Sequence, residues 1–256
     1  MKTPEQTARE IFGERAAFYT QSATHTDPQV LARVVELAAP QADWSALDVA
    51  TGTGHTAFAL APRVARVVGT DLTPQMLAEG EKLARERGVP NVRFCLADVH
   101  ALPFDAGAFH VVTCRRAAHH FSNIRLALRE MRRVLKPQGP GRLVIDDRSV
   151  PEDEFVDECM NALDRLHDES HVRQYRPSEW MRMLEEAGFT VEAVEPYTKH
   201  RPLTSLTEGV SPENVRRIQA IVDSLSDSQT QAMNVVGKDG QVYLNHWYVM
   251  IGATSD

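Results

Sequence analysis

The chain has 256 residues, a formal net charge of −7, 43% apolar and 25% charged residues, the composition of a globular protein long enough to bury a full core. The acidic balance argues against nucleic acid as a partner, since phosphate asks for clustered Lys and Arg, and no run approaches the roughly 20 apolar residues that span a bilayer. Cys95, Cys114 and Cys159 have neither CxxC spacing nor a histidine pair at ligand spacing, so no disulfide frame and no metal is expected, and a cytoplasmic location is.

Residues 1–15 are polar and mixed in charge, without an apolar signal core. One or two helices are predicted before residue 41, the second opening at Asp27-Pro28, a capping aspartate ahead of a proline. A strand over 45–50 runs into a glycine-rich turn and a helix from about His55. A second strand over 64–70 precedes Thr73-Pro74, which opens a helix ended by Gly88. Strands over 92–96 and 110–114 follow. Ser122 is placed to cap a helix whose Ile124, Leu128, Met131 and Leu135 recur at helical spacing, with Arg129, Arg132, Arg133 and Lys136 on a solvated face. A fifth strand covers 142–146.

Past Asp147 the pattern changes. Helices are predicted over 152–167 and 178–187, the latter ended by Gly188 and carrying Trp180, Met181 and Met183 at core spacing. Apolar runs over 190–194 and 241–252, which include Trp247 and Tyr248, add strands to the sheet edge. The alternation predicts an α/β fold, a doubly wound, mostly parallel seven-stranded sheet of Rossmann-like type. A single domain is expected: N-terminal helices over 1–40, a ligand-binding core over 41–147, a helical insertion or lid over 148–188, and C-terminal strands with a helix over 189–256. A homodimer is compatible with this reading.

The most informative stretch is Leu47-Asp48-Val49-Ala50-Thr51-Gly52-Thr53-Gly54-His55. A buried strand running into close glycines lets backbone N–H groups approach a ligand without Cβ interference. Gly52, Gly54 and Ala57 also satisfy the dinucleotide pattern GxGxx[GA], with Asp71 17 residues after Gly54. Three acids distinguish the alternatives. Asp48 lies on the strand four residues before Gly52, where a carboxylate suits a cationic aminoacyl group and repels a diphosphate. Asp71 ends the second strand, placed to accept from ribose hydroxyls. Asp98 ends the third, placed to accept from an adenine amine. All three fall at carboxyl ends of adjacent parallel strands, where such sheets bind ligands.

These segments resemble the class I S-adenosylmethionine (SAM)-dependent methyltransferases, and within them the UbiE-like, type 11 branch. The similarity also runs through Val68-Gly69-Thr70-Asp71-Leu72-Thr73-Pro74-Gln75-Met76-Leu77, Ala97-Asp98-Val99-His100-Ala101-Leu102-Pro103-Phe104 and Arg133-Val134-Leu135-Lys136-Pro137-Gln138-Gly139, and is close over about 30–150. It implies that Ala50, Thr51, Gly52 and Gly54 line the methionine portion of SAM near Asp48, that Asp71, Leu72 and Met76 hold the ribose side, and that Ala97, Asp98 and Val99 read adenine. Phe18 and Tyr19 would close over the cofactor, and Arg115 would sit beside it. Three positions depart from the family: Ala50 replaces a common glycine, His110 a common aspartate, and Pro140 lengthens the turn before strand five.

A methyl group on a sulfonium is already activated, so positioning and exclusion of water carry much of the rate, and a base is needed only for a protonated acceptor. His119 and His120, after the fourth strand, are the candidates for acceptor binding or proton removal, with Asp147 as an orienting group. Arg116, His171 and Tyr175 are candidates for the acceptor pocket. The implied activity is methyl transfer to a small-molecule acceptor with S-adenosylhomocysteine as product. A protein that binds SAM without methyl transfer, and an NAD-dependent oxidoreductase, are the alternatives.

Overall fold

Five apolar stretches separated by helical patterns fold here as one sheet with helices on both faces. The computed structural model describes residues 3–21, 25–137, 139 and 141–255; the turn expected at Pro140 lies outside them. In chain order the elements are α1 (Pro4–Gln21), α2 (Pro28–Ala38), β1 (Ser45–Val49), α3 (His55–Leu60), β2 (Arg66–Asp71), α4 (Pro74–Glu86), β3 (Val92–Leu96), β4 (Val111–Arg115), α5 (Ile124–Val134) and β5 (Arg142–Ser149). Then follow α6 (Glu154–His167), α7 (Pro177–Glu186), β6 (Thr190–Pro202), α8 (Thr204–Thr207), α9 (Pro212–Asp223), α10 (Asp227–Ala232), β7 (Val236–Lys238) and β8 (Gln241–Thr254).

The strand order is β3-β2-β1-β4-β5-β8-β6, with β7 paired to β8. The first five strands are parallel; β8 runs antiparallel between β5 and β6. The expected sheet of seven strands gains an eighth because Asp239 and Gly240, both at positive φ, turn the chain back as a hairpin, as an Asp-Gly pair favours. β6 and β8 also outrun their apolar cores. Beyond Val194, polar side chains alternate along β6, which is an edge strand with one wet face.

One face of the sheet is covered by α2, α3 and α4, around Val34, Ala38, Leu60, Val67 and Val144. The other is covered by α5 and α7, around Leu47, Val112, Leu128, Met131, Trp180 and Leu184. A third cluster joins α6 to α8, α9 and α10 through Met160, Leu163, Leu206, Ile218 and Met233. The cap over the sheet end is therefore built from two separated stretches. The expectation of one helix after residue 189 falls short by two, since α8 to α10 all lie between β6 and β7.

Local chemistry sets the element ends. Asp27 caps α2 by accepting from the Gln29 and Val30 amides. Asn123, not the expected Ser122, caps α5 by accepting from Leu126 N–H at 3.0 Å; the Ser122 hydroxyl donates instead to Glu5 on α1. Two of the basic residues expected on a solvated face are structural ties. Arg133 donates to the Phe104 and Leu102 carbonyls, and Arg132 to those of Gly188 and Ser255. Met181 is exposed where Trp180 and Met183 are buried. His110 stacks on Trp44, and its Nδ1 accepts from Ser45 N–H at 3.1 Å. Among the described residues, no helix is long and apolar enough to cross a membrane.

Candidate active site

β1 is buried along its whole length and ends where the strand order reverses between β1 and β4, the position at which open α/β sheets take ligands. The turn that follows holds Ala50 at φ +50°, Gly52 at +56° and Gly54 at +91°. A Cβ at Gly52 would meet nothing within 4 Å, so that stretch of backbone stands open. A Cβ at Gly54 would lie 2.9 Å from Phe94 Cζ. Gly54 thus faces ring packing, and it does not line the cleft described below.

Three carboxylates meet around this turn. Asp71 Oδ2 accepts from Gly52 N–H and Oδ1 from Thr73 N–H, each at 2.9 Å, joining the turn after β1 to the turn after β2. Burial pushes its carboxyl above the ordinary value, against those amides. Asp48 accepts from Thr113 Oγ1 at 2.7 Å, across the β1–β4 pair, and from Thr51 Oγ1 at 2.5 Å; burial pushes it up to about 6. Asp98 Oδ1 accepts from His100 N–H at 2.9 Å and lies 2.7 Å from His100 Nδ1. Since His100 Nε2 accepts from Asn123 N–H, the hydrogen of the neutral ring sits on Nδ1 and donates to Asp98. Asp98 Oδ2 has no hydrogen-bond partner among the described residues.

These groups line one cleft with about 1040 Å³ of empty volume. Of the residues singled out from sequence, Tyr19, Asp48, Ala50, Thr51, Gly52, Asp71, Leu72, Met76, Ala97, Asp98, Val99, Arg115, Arg116 and His120 line it. Gly54, His119, Asp147, His171 and Tyr175 do not. Glu5, Ala8 and Phe12 do, from α1, together with His100 and Phe121. Residues 5, 8, 12 and 19 share one helix face by spacing, a pattern readable from sequence once α1 is known to lie over the sheet end. Phe18, 65% exposed, faces away.

Among the described residues, two polar atoms on the cleft wall are buried without a partner, Arg115 Nη1 and Thr53 Oγ1. The rest of the Arg115 head is committed: Nε donates to Thr56 Oγ1 at 2.9 Å and Nη2 to the His25 carbonyl at 2.7 Å. Leaving such groups bare costs about 1–3 kcal/mol each, a cost that a ligand accepting from them would remove. Arg116 behaves differently. It donates to Asp146 at 3.0 Å and to Tyr197 at 2.8 Å, with its guanidinium 3.8 Å over the Tyr248 ring. Its charge is held inside the fold.

The histidines form a layer between cleft and cap. His119 Nδ1 lies 2.6 Å from Asp147 Oδ1, and its own amide donates to Asp147 Oδ2 at 2.9 Å. Burial drives His119 well below the ordinary imidazole value and pushes Asp147 up to about 6, so His119 is a neutral donor to a buried carboxylate. His171 donates from Nε2 to Asn161 Oδ1 at 3.1 Å, and burial lowers it to about 2. Tyr175 packs edge-on to Trp180. His120 alone of the histidine trio reaches the cleft, its ring 5.0 Å from Phe12 and 4.0 Å from His119. Among the described residues, no three His, Cys, Asp or Glu side chains converge as a metal site.

A profile described as a methyltransferase domain matches residues 46–139. The uncharacterized methyltransferase YcgJ of Bacillus subtilis (strain 168) is 41% identical over 173 residues, which is 68% of each protein. The chain belongs to the SAM-dependent methyltransferases. A proposed methyltransferase of Bacillus halodurans C-125 superposes on this methyltransferase with a TM-score of 0.83 and 34% identity, over 88% of this chain and 98% of that one. The demethylmenaquinone methyltransferase of Thermus thermophilus is 46% identical over 115 residues, 44% of this chain and 51% of that protein. The profile span carries the Gly52 turn, Asp71 and Asp98 of the methyltransferase, whereas α1 and the whole cap lie outside it.

Proposed function

We propose that this enzyme moves the methyl group of SAM to a small organic acceptor and releases S-adenosylhomocysteine. The observation that carries the reading is a single cleft in which the Gly52 turn, Asp71 and Asp98 meet two unpartnered buried polar atoms. Asp71 would accept from the ribose hydroxyls through the lone pairs its two amides leave. Asp98 Oδ2 and the Val99 amide would read the adenine edge. Arg115 Nη1 and Thr53 Oγ1 would take the carboxylate of the amino-acid portion, and Asp48 sets negative charge beside the turn for the cationic amine. When bound, SAM supplies a methyl group on a positively charged sulfur, activated for in-line displacement.

The protein's share of the chemistry is placement and exclusion of water. Phe12 and Tyr19 from α1, with Phe121 and His120 behind β4, wall the remainder of the cleft. Enclosure of that kind suits a compact acceptor, and the aromatic rim suits a ring. A quinol-like ring is in keeping with relatives that act in quinone methylation.

Calorimetry with SAM, S-adenosylhomocysteine and NADH tests the reading: both sulfur nucleosides bind and NADH does not. Asp71→Ala weakens SAM by at least about tenfold, the loss of charge-assisted hydrogen bonds in a buried site. Asp98→Ala costs less, because the Val99 amide remains. An unchanged affinity in Asp71→Ala removes that residue from the site.

A further inference from the structure

His120 meets the cap at one residue. Its Nδ1 lies 3.2 Å from the Ser170 carbonyl oxygen and 3.0 Å from Ser170 Oγ. A carbonyl oxygen only accepts, so the hydrogen of the neutral ring is on Nδ1. The Ser170 hydroxyl agrees with this assignment: it donates to Asp168 Oδ1 at 2.6 Å, which leaves its oxygen to accept from His120. Asp168 Oδ1 also takes the Ser170 amide at 2.9 Å. Burial pushes the Asp168 carboxyl up, but the positive charge His120 carries once it takes a proton, together with the two Ser170 donors, holds the group down at about 2, so the chain ends in a carboxylate that favours protonation of that ring. The His120 ring lies edge-on to Phe12 and tilted against His119, and Nε2 has no hydrogen-bond partner among the described residues.

We propose that Asp168 and Ser170 are positioning residues that fix His120 with its hydrogen on Nδ1, so that Nε2 presents a lone pair to an acceptor bearing an ionisable O–H. This deepens the reading of the cleft as the methyl-transfer site and rests on it. The step is one proton transfer. The acceptor's O–H bond breaks, its electron pair stays on oxygen for the incoming methyl group, and the proton binds Nε2. The resulting imidazolium keeps Nδ1–H on Ser170 and faces Asp168 through it, then returns its proton to water. A neutral histidine in water prefers its hydrogen on Nε2, the wrong form for this task. The cap holds the reverse form before any acceptor arrives, as preorganised catalytic groups must be held.

Long-range proton–nitrogen correlation NMR on protein labelled with 15N-histidine reads the tautomer directly, with His120→Gln identifying the signals. The wild-type protein should show His120 with Nδ1 protonated and Nε2 bare. Ser170→Ala keeps the carbonyl at that position but removes the hydroxyl and its bond to Asp168, so it should reduce the fraction with Nδ1 protonated. Ser170→Thr should restore it, and Asp168→Asn should reduce it less. A His120 protonated on Nε2 in the wild type, or a pattern unchanged by Ser170→Ala, overturns the proposal. Neither result depends on an acceptor, and SAM calorimetry on the same samples separates a failure here from a failure of the cofactor site.

Discussion

Gly52 and Gly54 look equivalent in the sequence, yet the fold gives them different work. Gly52 needs its positive φ and leaves open space on the cleft side; Gly54 needs room for Phe94. Gly52→Ala should therefore cost only the left-handed backbone term, about 1–2 kcal/mol, while obstructing the cleft. Gly54→Ala adds a clash at 2.9 Å from the half-buried Phe94 ring, typically about 1–3 kcal/mol more. Thermal melts and SAM titrations of the pair should separate, with Gly54→Ala the less stable and Gly52→Ala the weaker binder for its stability. If the two lose stability equally, the assignment of Gly54 to packing is wrong. Asp48, Asp71 and Asp98 were legible because spacing alone puts them at strand ends. Arg115 was picked out as well, but what fixes its head was not legible, because its partners Thr56 and His25 lie 59 and 90 residues away in sequence.

At the scale of elements, the cap depends on an ion pair that no periodicity announces. Arg148, at the end of β5, reaches Asp164 on α6 at 2.8 Å, and the same carboxylate accepts from Gln174. Both partners are nearly or fully buried. Arg148→Met should leave Asp164 uncompensated and cost about 3–5 kcal/mol, whereas the double change with Asp164→Leu should recover much of that loss. Urea unfolding midpoints check both variants; a double variant no better than the single would show that the arginine stem, not its charge, holds the cap. Helices α2, α4 and α7 were readable from apolar spacing and end signals, and α5 from apolar spacing alone, since its cap is Asn123 and not Ser122. The three helices between β6 and β7 were poorly readable, because α10 buries none of its own side chains and α8 has four residues. Such short segments take their form from tertiary contacts.

For the whole molecule, acid sensitivity follows from its interior histidines. Burial lowers His25 to about 3 and His171 to about 2, and drives His119 and His246 well below the ordinary value. These rings take protons only when the chain unfolds, so their stabilising contribution is complete above about pH 6.5 and is lost as pH falls below it. Asp48 and Asp147, raised to about 6, work in the opposite sense: below pH 6 the folded state binds their protons and offsets part of the loss. His55, His110 and His167 are lowered by burial as well, and Asp71 and Asp164 raised, so lowered imidazoles outnumber raised carboxylates and unfolding near pH 5 takes up protons. The melting temperature should fall steadily from pH 7 to pH 5, and a flat profile would mean the histidines are not held neutral. The β6–β8 ladder, which runs from the flank of the sheet up beneath α8 and α9, acts as a splint between core and cap. Tilting the cap as a unit would mean bending that ribbon. Among the described residues the first helix pairs with no strand; it packs on α4 and the His120 segment and is tied by the Ser122–Glu5 and His55–Tyr19 contacts, so the outer wall of the cleft is held by packing and a few side-chain bonds, not by a ladder.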